Sequence, residues 1–264
     1  MRILFVGDIV GSVGRNMVIN NVARLKDELQ LDLVVANGEN SAHGKGITRK
    51  IYHALLNAGV DVITMGNHTY SKDPIFQFID EAEQLVVPMN LNPDDRGQHY
   101  KVVEVNGYKV CICNVMGEVF MIEVNSSPFD CMKEILRNVE ADFYFCDFHA
   151  EATSEKLAFA YYFKDEIHAV IGTHTHVQTA DNRIIGKCAY ISDAGMCGAY
   201  ESIIGRDVTE VLTRFTTDEK TRFTVAEGEG MLNAVVIEFD EAQKCATSIK
   251  RLQILPEKGE IYSE

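Results

Sequence analysis

Apolar residues in the first third of the chain fall into short unbroken runs separated by helical spacings. Residues 3–6 (Ile-Leu-Phe-Val) and 33–36 (Leu-Val-Val-Ala) read as strands buried on both faces, since neither side of the pleat carries a polar group. A third strand is expected over 60–64. After Gly11 to Gly14, Val18, Val22, Leu25 and Leu29 recur at helical spacing. A second helix is predicted from Thr48, a suitable N-cap, to Asn57, with Gly59 as its stop. A third is predicted over about 72–83, with Ser71 as cap and Pro74 in its first turn. Alternation of this kind builds a mainly parallel sheet between helices.

The pattern then changes. Residues 99–105 and 108–114 alternate, and Asn106-Gly107 between them is a hairpin signal. Helices are expected at 128–139, 151–163 and near 201–215, and strands at 141–147, 168–172, 222–226, 232–239 and 247–255. Parallel-type strands early and meander-type strands late predict an α/β sandwich of two mixed sheets flanked by helices. With no repeat or low-complexity linker, residues 1–264 are expected to form one domain.

Charge narrows the functional classes. A net charge of −14 argues against a broad basic nucleic-acid surface, although bound cations could still hold a small nucleotide. Seven cysteines include no Cys-x-x-Cys pair, and their odd number without an export signal fits reduced cytoplasmic thiols. Cys111 and Cys113 read as core residues; Cys197, in a Gly-rich loop, is the one to watch, with a structural role expected. No apolar run is long enough for a membrane span.

The chemistry sits where strands end. Gly7-Asp8, Gly38-Glu39-Asn40, Gly66-Asn67-His68, Asp147-Phe148-His149 and Gly172-Thr173-His174-Thr175-His176 each follow a strand pattern, the place where open α/β sheets put ligand sites. Asp8 suits a hard or borderline cation. The alternative for its segment is a phosphate loop, but Gly7, Gly11 and Gly14 miss the Gly-x-Gly-x-x-Gly spacing, which also removes a nicotinamide enzyme. Glu39 has two oxygens with which to bridge cations, and Asn40 and Asn67 offer amide oxygens. His68 could be a ligand or an acid, its ordinary titration range suiting protonation of a leaving oxygen. His174 and His176, at i and i+2, would share one side of an extended segment. Asn37 is assigned to a turn and His43 to a loop; Asp147 and Glu151 could orient His149 or serve as solvated or capping groups. His53, His99 and His168 read as structural.

These strand ends, in this order, resemble the calcineurin-like metallophosphoesterases. Asp8-Ile9-Val10 and Gly38-Glu39-Asn40 stand where that superfamily commonly carries Asp-x-His and Gly-Asp. Both departures match a narrower group, the YmdB-like 2′,3′-cyclic-nucleotide 2′-phosphodiesterases. The runs at 37–46, 147–156, 172–183 and 222–228 are similar to that group as well, so the resemblance spans essentially the whole chain. It implies a calcineurin-like metallophosphoesterase sandwich with two metal ions, iron or manganese. Asp8, Glu39, Asn40 and His176 would surround one ion, and Glu39 would bridge to a second completed by Asn67, His149 and His174. Val13, Tyr70 and Cys197-Gly198-Ala199 are atypical of the group and bear on the substrate pocket.

The expectation is a hydrolase that opens 2′,3′-cyclic nucleotides to 3′-nucleotides, with His68 protonating the departing sugar oxygen. Two alternatives stay open: another phosphoester (a 3′,5′-cyclic nucleotide, an RNA end or a phosphomonoester), or a regulatory metal-binding protein. A homo-oligomer is also open.

Overall fold

The computed structural model describes residues 1–91, 96–122, 124–256 and 258–263. Its elements in chain order are β1 (Arg2–Val6), β2 (Asp8–Ile9), α1 (Gly11–Glu28), β3 (Leu33–Asn37), α2 (Arg49–Asn57), β4 (Val62–Thr64), β5 (Leu85–Val86), β6 (Tyr100–Val105), β7 (Tyr108–Met116) and α3 (Pro128–Asn138). They continue with β8 (Phe143–His149), α4 (Thr153–Phe163), β9 (Ala169–Thr173), β10 (Arg183–Ile185), β11 (Cys188–Ile191), β12 (Met196–Ala199), α5 (Val208–Thr216), β13 (Gly230–Asp240), β14 (Cys245–Leu255) and β15 (Gly259–Ser263).

Among the described residues the strands form two mixed sheets, ordered β15-β14-β13-β1-β3-β4-β5, with β12 and β2 attached, and β10-β11-β9-β8-β7-β6. In the first, β1, β3, β4 and β5 run parallel; in the second, β7, β8, β9 and β11 do. The pleat explains the unbroken apolar runs. Ile3 and Phe5 face the second sheet, among Phe143, Phe145 and Ile171, whereas Leu4 and Val6 face Val18, Val22 and Leu55 of the covering helices. Cys111 and Cys113 turn outward with Cys146 onto Phe159 and Phe163 of α4, while Val110 and Ile112 turn inward. The result is helix, sheet, sheet, helix, as the sequence predicts. No helix among the described residues is long and apolar enough to cross a membrane.

Three expectations are corrected. Residues 72–83 form two short 3₁₀ turns, Asp73–Gln77 and Ile79–Glu81, in place of one α-helix. Arginine side chains take the carbonyls an α-helix would use: Arg96 donates to Phe76 O and Arg49 to Gln77 O. The apolar spacing still buries Ile75, Phe78, Ile79 and Ala82. The helix expected from 201 starts at Val208, because Ile204 and Gly205 have positive φ (47° and 90°) and Asp207 caps the later start by accepting from Glu210 N. Residues 222–226 form no ladder; Val225 makes a single bridge to Arg206 and packs over Gly11 and Gly44.

The glycines after β1 serve packing. A Cβ on Gly14 would lie 2.1 Å from Cys197 O, so its absence lets α1 rest on β12. Cys197 itself is buried, with its thiol on Asn233 O and its pKa pushed up to about 12 by burial, which leaves it structural.

His168 accepts a hydrogen bond from Tyr144 N, and burial lowers its pKa from 6.5 to about 4. Below pH 6.5 the unfolded chain gains a proton that the folded chain refuses, so this contribution is present above 6.5 and lost as pH falls toward 4. Denaturant unfolding at pH 7 and near pH 4.5 is expected to show a loss about 2 kcal/mol larger for the wild type than for His168→Gln. Equal losses would mean that the ring is not responsible.

Candidate metal centre

The parallel strands of both sheets end on one edge of the sandwich, and the predicted residues gather there. Asp8 begins β2, His149 ends β8, and Glu39, Asn40, Asn67 and His68 lie in the loops after β3 and β4. One ligand-type atom each from Glu39, His149 and His174 lies within 4.8 Å of the others, and the same holds for Asp8, Glu39 and His176. Glu39 belongs to both groups.

Hydrogen bonds behind the site fix which atoms face it. Asp147 is fully buried and accepts from Asn37 Nδ2 (2.9 Å), from Thr64 Oγ1 and from Thr173 Oγ1 (2.7 Å). With its proton given to Asp147, the Thr173 hydroxyl can only accept from His149 Nδ1, at 2.9 Å. His149 Nε2 is therefore the bare nitrogen. His174 Nε2 lies 3.1 Å from Glu151 Oε2, which leaves its Nδ1 bare, and His176 Nδ1 donates to Ile204 O at 2.9 Å, which leaves its Nε2 bare. Glu151 thus orients His174, not His149.

The bare atoms point at one another. His149 Nε2 is 3.1 Å from His174 Nδ1, 3.0 Å from Asn67 Oδ1 and 3.4 Å from Glu39 Oε1. The two bare nitrogens and Asn67 Oδ1 converge with no hydrogen among them, beside a Glu39 carboxyl, an arrangement that a cation would stabilise. In the second group Asp8 Oδ1 is buried without any hydrogen-bond partner. Burial, then Asp193 and Asp147, raises the Asp8 carboxyl well above its ordinary range; burial, then Asp8, pushes Glu39 up to about 8. Asn40 Nδ2 faces Glu39 Oε1 (2.8 Å) and His176 Nε2 (3.2 Å), so its oxygen would meet a cation only after rotation of the amide. Gly66 leaves the space open, since a Cβ there would sit 2.3 Å from Glu39 Oε2 and 2.5 Å from His149 Nε2. This donor set fits a metal ion.

The His-x-His segment reaches the site differently from the sequence expectation. His174 and His176 both have positive φ (99° and 68°), so the segment is a strained turn and not an extended strand. The turn is pinned from beneath by residues that sequence reasoning missed. Asp193 accepts from Thr175 N (2.9 Å), Thr175 Oγ1 (2.8 Å) and Lys156 Nζ (3.1 Å), and Lys156 also donates to Thr173 O (2.8 Å). Lys156 and Asp193 are a buried ion pair. The signal was available for Asp193, another carboxylate after an apolar run (188–191). Asn37, assigned to a turn, does accept from Glu39 N (3.1 Å) as a turn residue would, and it also donates to Asp147.

His68 stands at the rim. Its N–H donates to Glu39 Oε2 at 3.0 Å, and its ring Nδ1 is 3.4 Å from Ser71 Oγ. Its ordinary titration range is not kept: burial, then Lys45, His174, Arg206 and His176, lowers the ring to about 4. His43 lies outside the cluster, in a neighbouring basin with Lys45, Lys72, Arg206 and Arg222.

A family model described as YmdB-like protein matches residues 4–252. A curated relative from Bacillus subtilis (strain 168), named 2′,3′-cyclic-nucleotide 2′-phosphodiesterase, is 48% identical over 257 residues, covering 96% of this chain and 97% of its own. A crystal structure of a phosphatase from Mycoplasma pneumoniae superposes with a TM-score of 0.92 at 38% identity, over 96% of this chain and 93% of that one. One of a hypothetical protein from Thermus thermophilus gives 0.89 at 35% identity, over 100% of both. Full-length matches at this identity, on a chain whose strand ends already converge as described, mean that it belongs to the YmdB-like family.

Proposed function

We propose that this protein is a dinuclear metal-dependent phosphodiesterase that hydrolyses 2′,3′-cyclic nucleotides to 3′-nucleotides. The observation that carries the reading is the convergence of His149 Nε2, His174 Nδ1 and Asn67 Oδ1 with no shared hydrogen, beside the Glu39 carboxyl. The activity named for the B. subtilis relative supplies the substrate class. Asp8, Glu39, Asn40 and His176 would hold one ion, and Glu39, Asn67, His149 and His174 the other. A mixed carboxylate, amide and imidazole set without thiolates suits iron or manganese. Cations held there supply positive charge against the phosphate oxygens and acidify the attacking water.

The chain's own residues do the rest. Water oxygen bonds to phosphorus, the bond from phosphorus to the 2′ oxygen breaks, and that oxygen must take up a proton, leaving a 3′-phosphate. His68, at the rim, is the group placed to give it. In the protein alone burial, then Lys45 and the other cations, lowers the ring to about 4, so the acid role requires the substrate anion to outweigh these and the charge of the bound ions. Thr173 and Asp147 hold His149 in one tautomer, and Lys156 with Asp193 keeps the His174–His176 turn in place.

Protein reconstituted with manganese or iron is expected to open 2′,3′-cyclic AMP to the 3′-phosphate in preference to cleaving 3′,5′-cyclic AMP. Cleavage of neither would move the reading to another phosphoester or to a regulatory metal site.

Elemental analysis is expected to find both ions lost in Glu39→Gln, but only one lost in His176→Ala. Loss of a single ion from Glu39→Gln would argue against bridging.

His68→Ala keeps the backbone N–H that donates to Glu39. It is expected to retain both metals while turnover falls about 10²–10⁴-fold. Unchanged turnover would remove His68 from the acid role.

Thr173→Val frees the His149 tautomer, and equilibrium metal titration is expected to register an affinity about 10–100-fold weaker. An affinity equal to wild type would mean that the hydroxyl does not orient the ring.

A further inference from the structure

Beside the metal-type cluster lies a second, larger cavity. The cluster's own cavity is about 290 Å³, and its neighbour is about 700 Å³. His68 and Arg206 line both, so the two are adjoining parts of one cleft. The larger part carries Lys45, Lys72, Arg206 and Arg222 and no acidic residue in its lining. Among the described residues none of these four cations has a carboxylate within ion-pair distance, in a chain of net charge −14.

The basin is held in shape. Lys72 Nζ donates to Ala42 O (2.6 Å) and Arg206 to Gly44 O (3.2 Å), so two of the cations clamp the loop that presents the third, Lys45. Gly44, at φ +83°, has Arg206 packed against it where a Cβ would be. Arg206 is half-buried, and its guanidinium is pulled below its ordinary pKa by that burial. Phe223, 43% exposed, lines the same basin and offers an aromatic face of the kind on which a base stacks. A concentration of unpaired positive charge next to a phosphoester site, on an otherwise acidic surface, is complementary to a second phosphate on the same substrate.

We propose that the basin formed by Lys45, Lys72, Arg206 and Arg222 binds a 5′-phosphoryl group, so that the preferred substrate is a 5′-phosphorylated nucleotide carrying the 2′,3′-cyclic phosphate. That group can belong to a free nucleotide or to the last residue of an RNA 3′ end. The proposal rests on the phosphodiesterase reading, and it goes further by requiring two phosphates where the cluster alone requires one.

The test compares three substrates with the metal-loaded protein: adenosine 2′,3′-cyclic phosphate, its 5′-phosphorylated form, and the dinucleotide ApA ending in a 2′,3′-cyclic phosphate. A 5′-phosphoryl group is expected to raise kcat/KM about tenfold, through KM, as one charge-assisted hydrogen bond would. In Lys45→Gln/Arg222→Gln, both exposed positions, that ratio is expected to fall to near one. Lys109→Gln, an exposed lysine elsewhere, is expected to keep the wild-type ratio. A preference for the dinucleotide over the 5′-phosphorylated nucleotide would identify RNA ends as the source; the reverse would identify free nucleotides. A wild-type ratio near one, or a ratio unchanged in the double variant, would overturn the proposal.

A calorimetric comparison of adenosine 3′,5′-bisphosphate with adenosine 3′-phosphate reads the subsite without turnover. Tighter bisphosphate binding that disappears in the double variant would sustain the basin even if no cyclic phosphate were cleaved, in which case only the activity assignment falls. Equal binding of the two ligands by wild-type protein would overturn the basin, whatever is cleaved.

Discussion

Lone pairs that meet without a hydrogen between them are the constraint around which this molecule is arranged. His149 Nε2 and His174 Nδ1 lie 3.1 Å apart, with Asn67 Oδ1 and Glu39 Oε1 beside them. Left alone, such a cluster would relax by turning one ring or protonating one acid. The surrounding bonds forbid the turns: Thr173 and Asp147 hold His149, Glu151 holds His174, and Ile204 O holds His176. Protonation is the remaining outlet, and burial together with neighbouring carboxylates already pushes Asp8 and Glu39 that way. A buried carboxylate costs several kcal/mol unless it is compensated, so a cation bound there would offset that cost and stabilise the folded chain.

Two sheets are needed to bring this about. β1, β3 and β4 deliver Asp8, Glu39, Asn40, Asn67 and His68 from one side, while β8 and β9 deliver His149, His174 and His176 from the other. Each set comes from parallel strands, whose carboxyl ends fall on the same edge. The face-to-face packing of Phe5 against Phe145, with ring centroids 5.7 Å apart, keeps those two edges in register with each other. Segments more than a hundred residues apart in sequence therefore meet through core packing, and polar contacts such as Asn37 to Asp147 and His174 N to Asp8 tie them together at the edge.

Much of this could be read from the chain because each piece of evidence was local. A strand buried on both faces has no polar residue until it ends, so the polar residues just beyond it, Asp8, Glu39 or Asn67, announce themselves. The hairpin at Asn106-Gly107 was equally legible, since both residues need positive φ (53° and 82°). The failures share a different origin. Residues 72–83 lost their α-helix to arginines 49 and 96, one lying well before the segment and the other beyond it. The turn that carries His174 and His176 takes its conformation from Asp193 and Lys156, which no spacing connects to it. Asn37 looks like a turn residue in sequence and makes the turn bond to Glu39 N, but its donation to Asp147 depends on β8 lying beside it. Residues that act directly on the site sit at strand ends and can be found there; those that hold it in place depend on the assembled sheets.

The distribution of charge follows the same logic on a larger scale. A net charge of −14 works against an anionic substrate in general, and the cations gathered at residues 45, 72, 206 and 222 oppose that locally, beside the cluster. His68 sits where the two regions join, lining both cavities. Lys45 and Arg206 are among the groups that lower its pKa. They are also members of the basin proposed to receive phosphate. On that reading, an anion held by the basin would lie beside His68 and act against the Lys45 and Arg206 charges, while burial, the larger cause of the lowered pKa, would remain.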